Sequence, residues 1–124
     1  MISGGMMKEI IRNSYLENEN ILIVGYGKSG VKSSELAKRL GATVFVYDDN
    51  KEIEINKEVV DKVYDNIEDI DFANINITVL SPGVPLESDI AQKSIKSGVE
   101  TIGEIEFGFR YSYRNNTCNN RNKW

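Results

Sequence analysis

Ile21-Leu22-Ile23-Val24-Gly25-Tyr26-Gly27-Lys28-Ser29-Gly30 is an apolar run that stops at a glycine-rich loop. The run from Ile21 to Val24 is continuously hydrophobic and carries β-branched residues, the pattern of a parallel strand covered on both faces. Gly25, Gly27 and Gly30 then fit G-x-G-x-x-G: one glycine for a tight turn, one for a backbone bare enough for a phosphate to approach, one for close packing of helix on strand. Beyond the loop, Ser33, Leu36, Ala37 and Leu40 recur at helical spacing, and Gly41 stands where a left-handed C-terminal cap belongs. A helix is therefore predicted from Ser29 to Leu40. Ala42 to Tyr47 reads as a second strand ending at Asp48 and Asp49, which completes a βαβ unit and delivers Asp48 beside the glycine loop. Free N–H groups and the positive end of the helix dipole both point at that loop, so a pyrophosphate is the expected guest. The bland alternative is a strand-to-helix turn that binds nothing.

Downstream, Val59 to Tyr64 makes a short third strand and the acidic Asn66 to Asp71 stretch a turn or single helical turn. Ile75 to Leu80 is a fourth, buried strand running into Ser81-Pro82-Gly83-Val84-Pro85, a loop stiffened by its prolines. Ile90, Ala91, Ser94 and Ile95 share a helical face, with Ser88 or Glu87 near the start and Gly98 as the stop. Val99 to Ile102 is a fifth strand, and Gly103-Glu104-Ile105-Glu106-Phe107 opens a last short helix. The alternation gives an α/β, Rossmann-like, doubly wound and mostly parallel sheet of about five strands. Its ligand crevice lies where Gly25 to Gly30, Asp48 to Asn50 and Ser81 to Val84 converge at the strand carboxyl ends.

A chain of 124 residues is one domain's worth. Its net charge of -4 and the lack of a basic face interleaved with aromatics argue against nucleic-acid binding. Histidine is absent and Cys118 is the one cysteine, which excludes a disulfide framework, a cysteine zinc cluster and Ser-His-Asp or Cys-His catalysis. No apolar run reaches membrane-spanning length, and cytoplasmic residence is the default. Residues 1–7 read as a flexible leader, Lys8 to Asn20 carries a weak amphipathic signal, and the domain is expected over 8–109. From Arg110 to Trp124 the chain has no acidic residue, little apolar content and paired asparagines, and it is expected to be a disordered tail with Cys118 an incidental thiol.

The segments Gly25-Tyr-Gly-Lys-Ser-Gly30, Tyr47-Asp-Asp49, Ser81-Pro-Gly-Val-Pro85 and Gly103-Glu-Ile-Glu106 together resemble the N-terminal domain of the Mur ligases that add D-glutamate during peptidoglycan synthesis. The likeness runs in order and spacing from about Asn20 to Phe109, and the SPGVP and GEIE segments separate it from the L-alanine-adding sister enzymes. The resemblance implies a three-domain, ATP-dependent amide ligase whose first domain holds the UDP end of UDP-N-acetylmuramoyl-L-alanine. ATP and magnesium would sit on a central domain and D-glutamate on a last one, so this stretch would bind no cofactor or metal and carry no catalytic residue. By position, Gly25, Gly27, Lys28, Ser29 and Gly30 would meet the pyrophosphate or adjacent nucleotide. Asp48 would accept from the uracil imide with Asp49 beside it, and Ser81, Pro82 and Gly83 would let the nucleotide lie against their backbone. Asn50 departs from the pattern, since the family often has a basic residue there, although Lys51 is adjacent. The resemblance also gives an account of the tail: one choice of codons for Asn115 to Trp124, read one base out of frame, yields Ile-Ile-Leu-Ala-Ile-Thr-Gly-Thr-Asn-Gly, the opening of the family's ATP-binding domain.

Each residue has a plainer role beside the functional one. Lys28 can be a solvated charge, Asp48 a turn residue bonded to its own backbone, Glu104 and Glu106 structural, Tyr26 packing. A Walker loop, G-x-x-x-x-G-K-[ST], is not found. Two other readings stay open: an NAD-binding regulatory or oxidoreductase module, in which Asp48 would meet a ribose, and a domain that only mediates interactions.

Overall fold

The computed structural model describes residues 16–115. The expected leader, most of the amphipathic segment and the shifted-frame tail beyond Asn115, Cys118 included, lie outside the described residues. Along the chain run β1 (Asn20–Val24), α1 (Lys28–Arg39), β2 (Thr43–Tyr47), β3 (Lys62–Tyr64), β4 (Ile77–Leu80), α2 (Asp89–Lys96), β5 (Glu100–Gly103) and α3 (Glu104–Asn115). The five strands form one sheet in the order β3-β2-β1-β4-β5, and every neighbouring pair is parallel. This is an α/β Rossmann-like fold.

β1 lies at the centre because its side chains satisfy both faces. Ile21 pairs in register with Val44 on one side and Ile77 on the other, and every residue from Ile21 to Val24 is at most 3% exposed. Ile21 and Ile23 point to a core with Leu36 and Ala37 of α1, Leu40 just past its end, and Phe107 of α3. Leu22 and Val24 point to a second core with Ile90 and Ala91 of α2 and with Ile70, Phe72 and Ile75. Full burial of Phe107 alone is worth about 2 to 3 kcal/mol. On the second face, α2 is pinned by hydroxyls: buried Ser94 Oγ donates to Thr78 Oγ1 of β4 at 2.8 Å and lies 2.7 Å from Thr101 Oγ1 of β5.

Helices connect β1 to β2 and β4 to β5, whereas β3 leads to β4 through two single 3-10 turns, Ile67–Asp69 and Phe72–Asn74. The acidic stretch thus forms the single turn expected of it. The third strand is shorter than Val59 to Tyr64, because Val59 and Val60 donate to the Asn56 carbonyl and close a turn instead. Asp61 then ties that turn to the sheet, its Oδ2 accepting from Val44 N–H at 2.8 Å and from Lys38 Nζ at 2.6 Å. Burial raises the Asp61 pKa, but the Lys38 ammonium and the Val44 N–H outweigh it and hold the carboxyl below its ordinary value.

Helix α3 runs through Arg110, where the tail was expected to begin, and continues to Asn115. Contacts one helical turn apart carry the helix across it. Arg110 pairs with Glu106 at 2.5 Å and with Glu100 of β5 at 2.9 Å, and the Tyr111 ring lies 5.1 Å from that of Phe107. Low apolar content hid this, since the helix needs only a few contacts on its sheet-facing side.

Candidate functional site

Strand order makes β1 and β4 neighbours although β1 leads first to β2, and such a reversal opens a crevice at the strand carboxyl ends. Three loops meet there. Gly25 turns the chain out of β1 with φ +91°, and a Cβ on it would lie 2.9 Å from Ser81 Oγ. A Cβ on Gly30 would lie 1.9 Å from the Gly25 carbonyl oxygen, so helix and strand approach this closely only with glycine. At Gly27 and at Gly83 the same atom would meet nothing within 4 Å.

Helix α1 begins at this loop with Gly27 as its N-cap, no side-chain cap bond and no acidic residue in its first turn. Its leading N–H groups therefore lack the carbonyl partners that later turns have. Lys28 is exposed and Ser29 half-buried beside them. Gly27-Lys28-Ser29 repeats the end of a Walker loop, but the glycine that pattern requires is replaced by Leu22, buried inside β1.

Asp48, half-buried after β2, has one oxygen on each of two backbone donors: Tyr26 N–H reaches Oδ2 at 2.6 Å and Asn50 N–H reaches Oδ1 at 2.8 Å. From the other wall Ser81 Oγ donates to the Gly25 carbonyl at 2.8 Å, and Ser81 N–H to the Val24 carbonyl at 3.0 Å. Pro82 and Gly83 are exposed, in a turn closed by Val84 N–H on the Ser81 carbonyl at 2.9 Å.

Asp49 and Asn50 are exposed next to Asp48. Asp49 Oδ1 accepts from the Tyr47 hydroxyl at 2.8 Å. Burial, reinforced by that bond to a carboxylate, pushes the Tyr47 phenol up to about 12, so it is a proton donor at neutral pH. Asn50 Oδ1 caps Glu52 N–H at 3.0 Å. The Lys51 ammonium, next in sequence, binds the Asp65 carbonyl and lies 5.4 Å from the centre of the Tyr47 ring.

Gly25, Gly27, Lys28, Ser29, Gly30, Asp48, Asp49, Asn50, Ser81, Pro82 and Gly83 are thus brought to one end of the sheet. Sequence reading missed Tyr47, whose hydroxyl role was signalled only by its place before two aspartates. It also missed the Tyr26 backbone: the Tyr26 side chain packs, 6% exposed, while its N–H joins the loops. Glu106 is structural as expected, paired with Arg110. Glu104 lines a groove of about 310 Å3 between α1 and α3, together with Lys32, Glu35 and Arg39, to which none of the three loops contributes. Among the described residues no cluster of His, Cys, Asp and Glu could hold a metal ion, and no helix is long and apolar enough to cross a membrane.

Among solved structures, the fold is similar to a shikimate dehydrogenase from Aquifex aeolicus, with TM-score 0.51 and 18% identity over 92% of this chain and 55% of that one. A chorismate mutase/shikimate 5-dehydrogenase fusion protein from Clostridium acetobutylicum matches at TM-score 0.51 and 17% identity, over 94% and 53%. At such identities the likeness concerns the fold alone. Sequence relatives are closer. The UDP-N-acetylmuramoylalanine--D-glutamate ligase of Caldicellulosiruptor bescii is 34% identical over 103 residues, 77% of this chain and 22% of the relative. That of Caldicellulosiruptor saccharolyticus is 36% identical over 104 residues, 77% and 23%. The chain therefore spans less than a quarter of the length of these curated relatives. Residues 19–103, which hold all three loops, match the family described as Mur ligase MurD-like, N-terminal domain, and the chain belongs to that family.

Proposed function

We propose that the crevice binds the uridine diphosphate end of UDP-N-acetylmuramoyl-L-alanine in the cytoplasm, as the substrate-holding domain of a D-glutamate-adding ligase. The observation that carries this reading is the start of α1, which no side chain caps, together with two glycines of the crevice loops, Gly27 and Gly83, at which an added Cβ would meet nothing within 4 Å. A diphosphate on the first-turn N–H groups satisfies donors that the chain leaves unfilled, with Ser29 and Lys28 adding a hydroxyl and a positive charge. Each Asp48 oxygen holds one N–H and has a further lone pair, which leaves it able to accept from the uracil imide.

ATP-dependent amide formation, by way of an acyl phosphate that the D-glutamate amine attacks, belongs to the ligase as a whole. This chain's part is to hold the nucleotide. Calorimetry with UDP-N-acetylmuramoyl-L-alanine, UDP, NAD and Mg-ATP tests it. The uridine compounds are expected to bind and Mg-ATP to show no micromolar binding; NAD binding more tightly than UDP would overturn the reading in favour of a dinucleotide module.

A further inference from the structure

The bonds at Gly25 and Tyr26 are two ends of the same peptide unit. Its carbonyl, from Gly25, accepts from Ser81 Oγ at 2.8 Å, and its N–H, from Tyr26, donates to Asp48 Oδ2 at 2.6 Å. The two clamping side chains stand on opposite walls, Ser81 after β4 and Asp48 after β2, the strands that flank β1. We infer that Asp48 and Ser81 act jointly as positioning residues, fixing the orientation of the Gly25–Tyr26 peptide and through it the anion-binding start of α1.

On the Gly25 side, where φ is +91° and there is no Cβ, sterics alone do not fix the plane of this peptide. Rotation by half a turn would exchange the carbonyl and N–H positions with the flanking Cα atoms nearly in place, and would turn φ of Tyr26, the residue that leads into the Gly27 N-cap. Asp48 opposes that rotation directly, since a flipped peptide would set its carbonyl against the carboxylate; Ser81 opposes it by the bond it donates to the carbonyl, which a flip breaks and which returns only if the hydroxyl turns to accept the N–H instead. The Asp48 bond is to a charged acceptor and is the stronger of the two. Asp48 is itself held at Oδ1 by Asn50 N–H at 2.8 Å, and the Ser81 main chain by Val24 at 3.0 Å, so neither clamp hangs on a free side chain. The anion site is thereby coupled to both walls of the crevice.

This inference rests on the proposed diphosphate site for its consequence, but the clamp can be read without ligand. Amide hydrogen exchange on the full chain, wild type against Ser81→Ala, Asp48→Ala and the double variant, is the first arm. Exchange at Tyr26 and Gly27 is expected to rise at least about tenfold in each single variant, the measure of a lost hydrogen bond of ordinary strength. Exchange at Ile23 in β1 should stay as in the wild type, and Ser81→Thr, which keeps the hydroxyl, should restore the wild-type rate. The second arm is a double-variant cycle on UDP affinity. Two residues acting through one peptide should be non-additive, the double variant binding no more than about twofold worse than the weaker single one. Unchanged exchange at Tyr26 in Ser81→Ala, or single losses that multiply in the double variant, would overturn the clamp. A wild-type chain that binds no UDP would remove the proposed function instead, and the exchange arm would then decide the clamp alone.

Discussion

Gly30 and Gly27 lie three residues apart in one loop, yet a Cβ on the first would sit 1.9 Å from a carbonyl oxygen and on the second would meet nothing within 4 Å. The glycine motif therefore divides into two kinds of position. Gly25 and Gly30 are required by the fold, one by its positive φ and one by close packing. At Gly27 and Gly83 no packing excludes a side chain, and apart from the place of Gly27 as the N-cap of α1 a bare backbone there matters chiefly to something that comes from outside. Stability and affinity should separate accordingly.

The largest effect is expected at Gly30. Gly30→Ala forces a methyl group against the Gly25 carbonyl just beyond β1, and should cost about 3 kcal/mol or more, the upper range for overpacking. Thermal unfolding would show this as a midpoint lower by about 10 °C or more. An unfolding midpoint within a degree or two of wild type would erase the division between the two glycines. Gly27→Ala is the opposite case. Its stability should fall by no more than about 1 kcal/mol, the cost of alanine in place of glycine at an N-cap, while affinity for UDP should fall about tenfold, or about 1.4 kcal/mol. Equal affinities for the two proteins in calorimetry would show that no ligand lies against Gly27.

The same division explains what the sequence could disclose. Ile21 to Val24, the loop and the second strand were legible because hydrophobic continuity and glycine spacing are local signals that packing then honours. Val59 to Tyr64 looked like a strand because Val60 is buried, but burial does not specify extended backbone, and the Asn56 carbonyl captures the amides at 59 and 60. The extent of α3 depended on Glu100 and Phe107, partners that a local reading of Arg110 and Tyr111 does not supply. At the site, residue types were readable while the Gly25–Tyr26 clamp was not: it joins one backbone unit to side chains 22 and 56 residues away.

Asp61 supplies a control that works wholly on the folding side. Asp61→Ala removes the acceptor of Val44 N–H and the Lys38 partner, a loss of about 1 kcal/mol. UDP affinity should be unchanged, the reverse of Gly27→Ala. Because the folded carboxyl titrates below its ordinary value, its contribution is present above the usual carboxylate pKa and disappears as pH falls through the lowered one. Denaturant midpoints of wild type and variant should therefore differ at pH 7 and converge in acid. A difference that persists undiminished at low pH would remove the ion pair from this account.

The smallest expected effect is at Tyr47, a folding-side residue that reaches across to the open side. Its ring is packed at 7% exposure, while its hydroxyl donates to exposed Asp49. Tyr47→Phe keeps the packing, and water can replace the hydroxyl at Asp49, so at neutral pH the cost should be only about 0.5 kcal/mol, at the low end for a hydrogen bond. If Asp49 belongs to the ligand surface with Gly27, loosening it should weaken UDP binding by a few-fold with stability almost intact. If Asp49 belongs with the folding residues, affinity will not move and the comparison gains a fixed edge at Asp48. Alkaline pH supplies an independent readout. The phenol is pushed up to about 12 in the folded chain, so the fold favours the neutral form; that stability is complete below the ordinary phenol pKa near 10 and is lost as pH rises toward 12. Burial and the Asp49 carboxylate act in the same direction, since each penalises a phenolate. Urea midpoints measured from pH 8 to 11 should accordingly fall more steeply for wild type than for Tyr47→Phe, with the gap opening only above pH 10. Parallel curves through that range would mean that Tyr47 ionises as freely in the folded chain as in the unfolded one, and that the bond to Asp49 does not hold it.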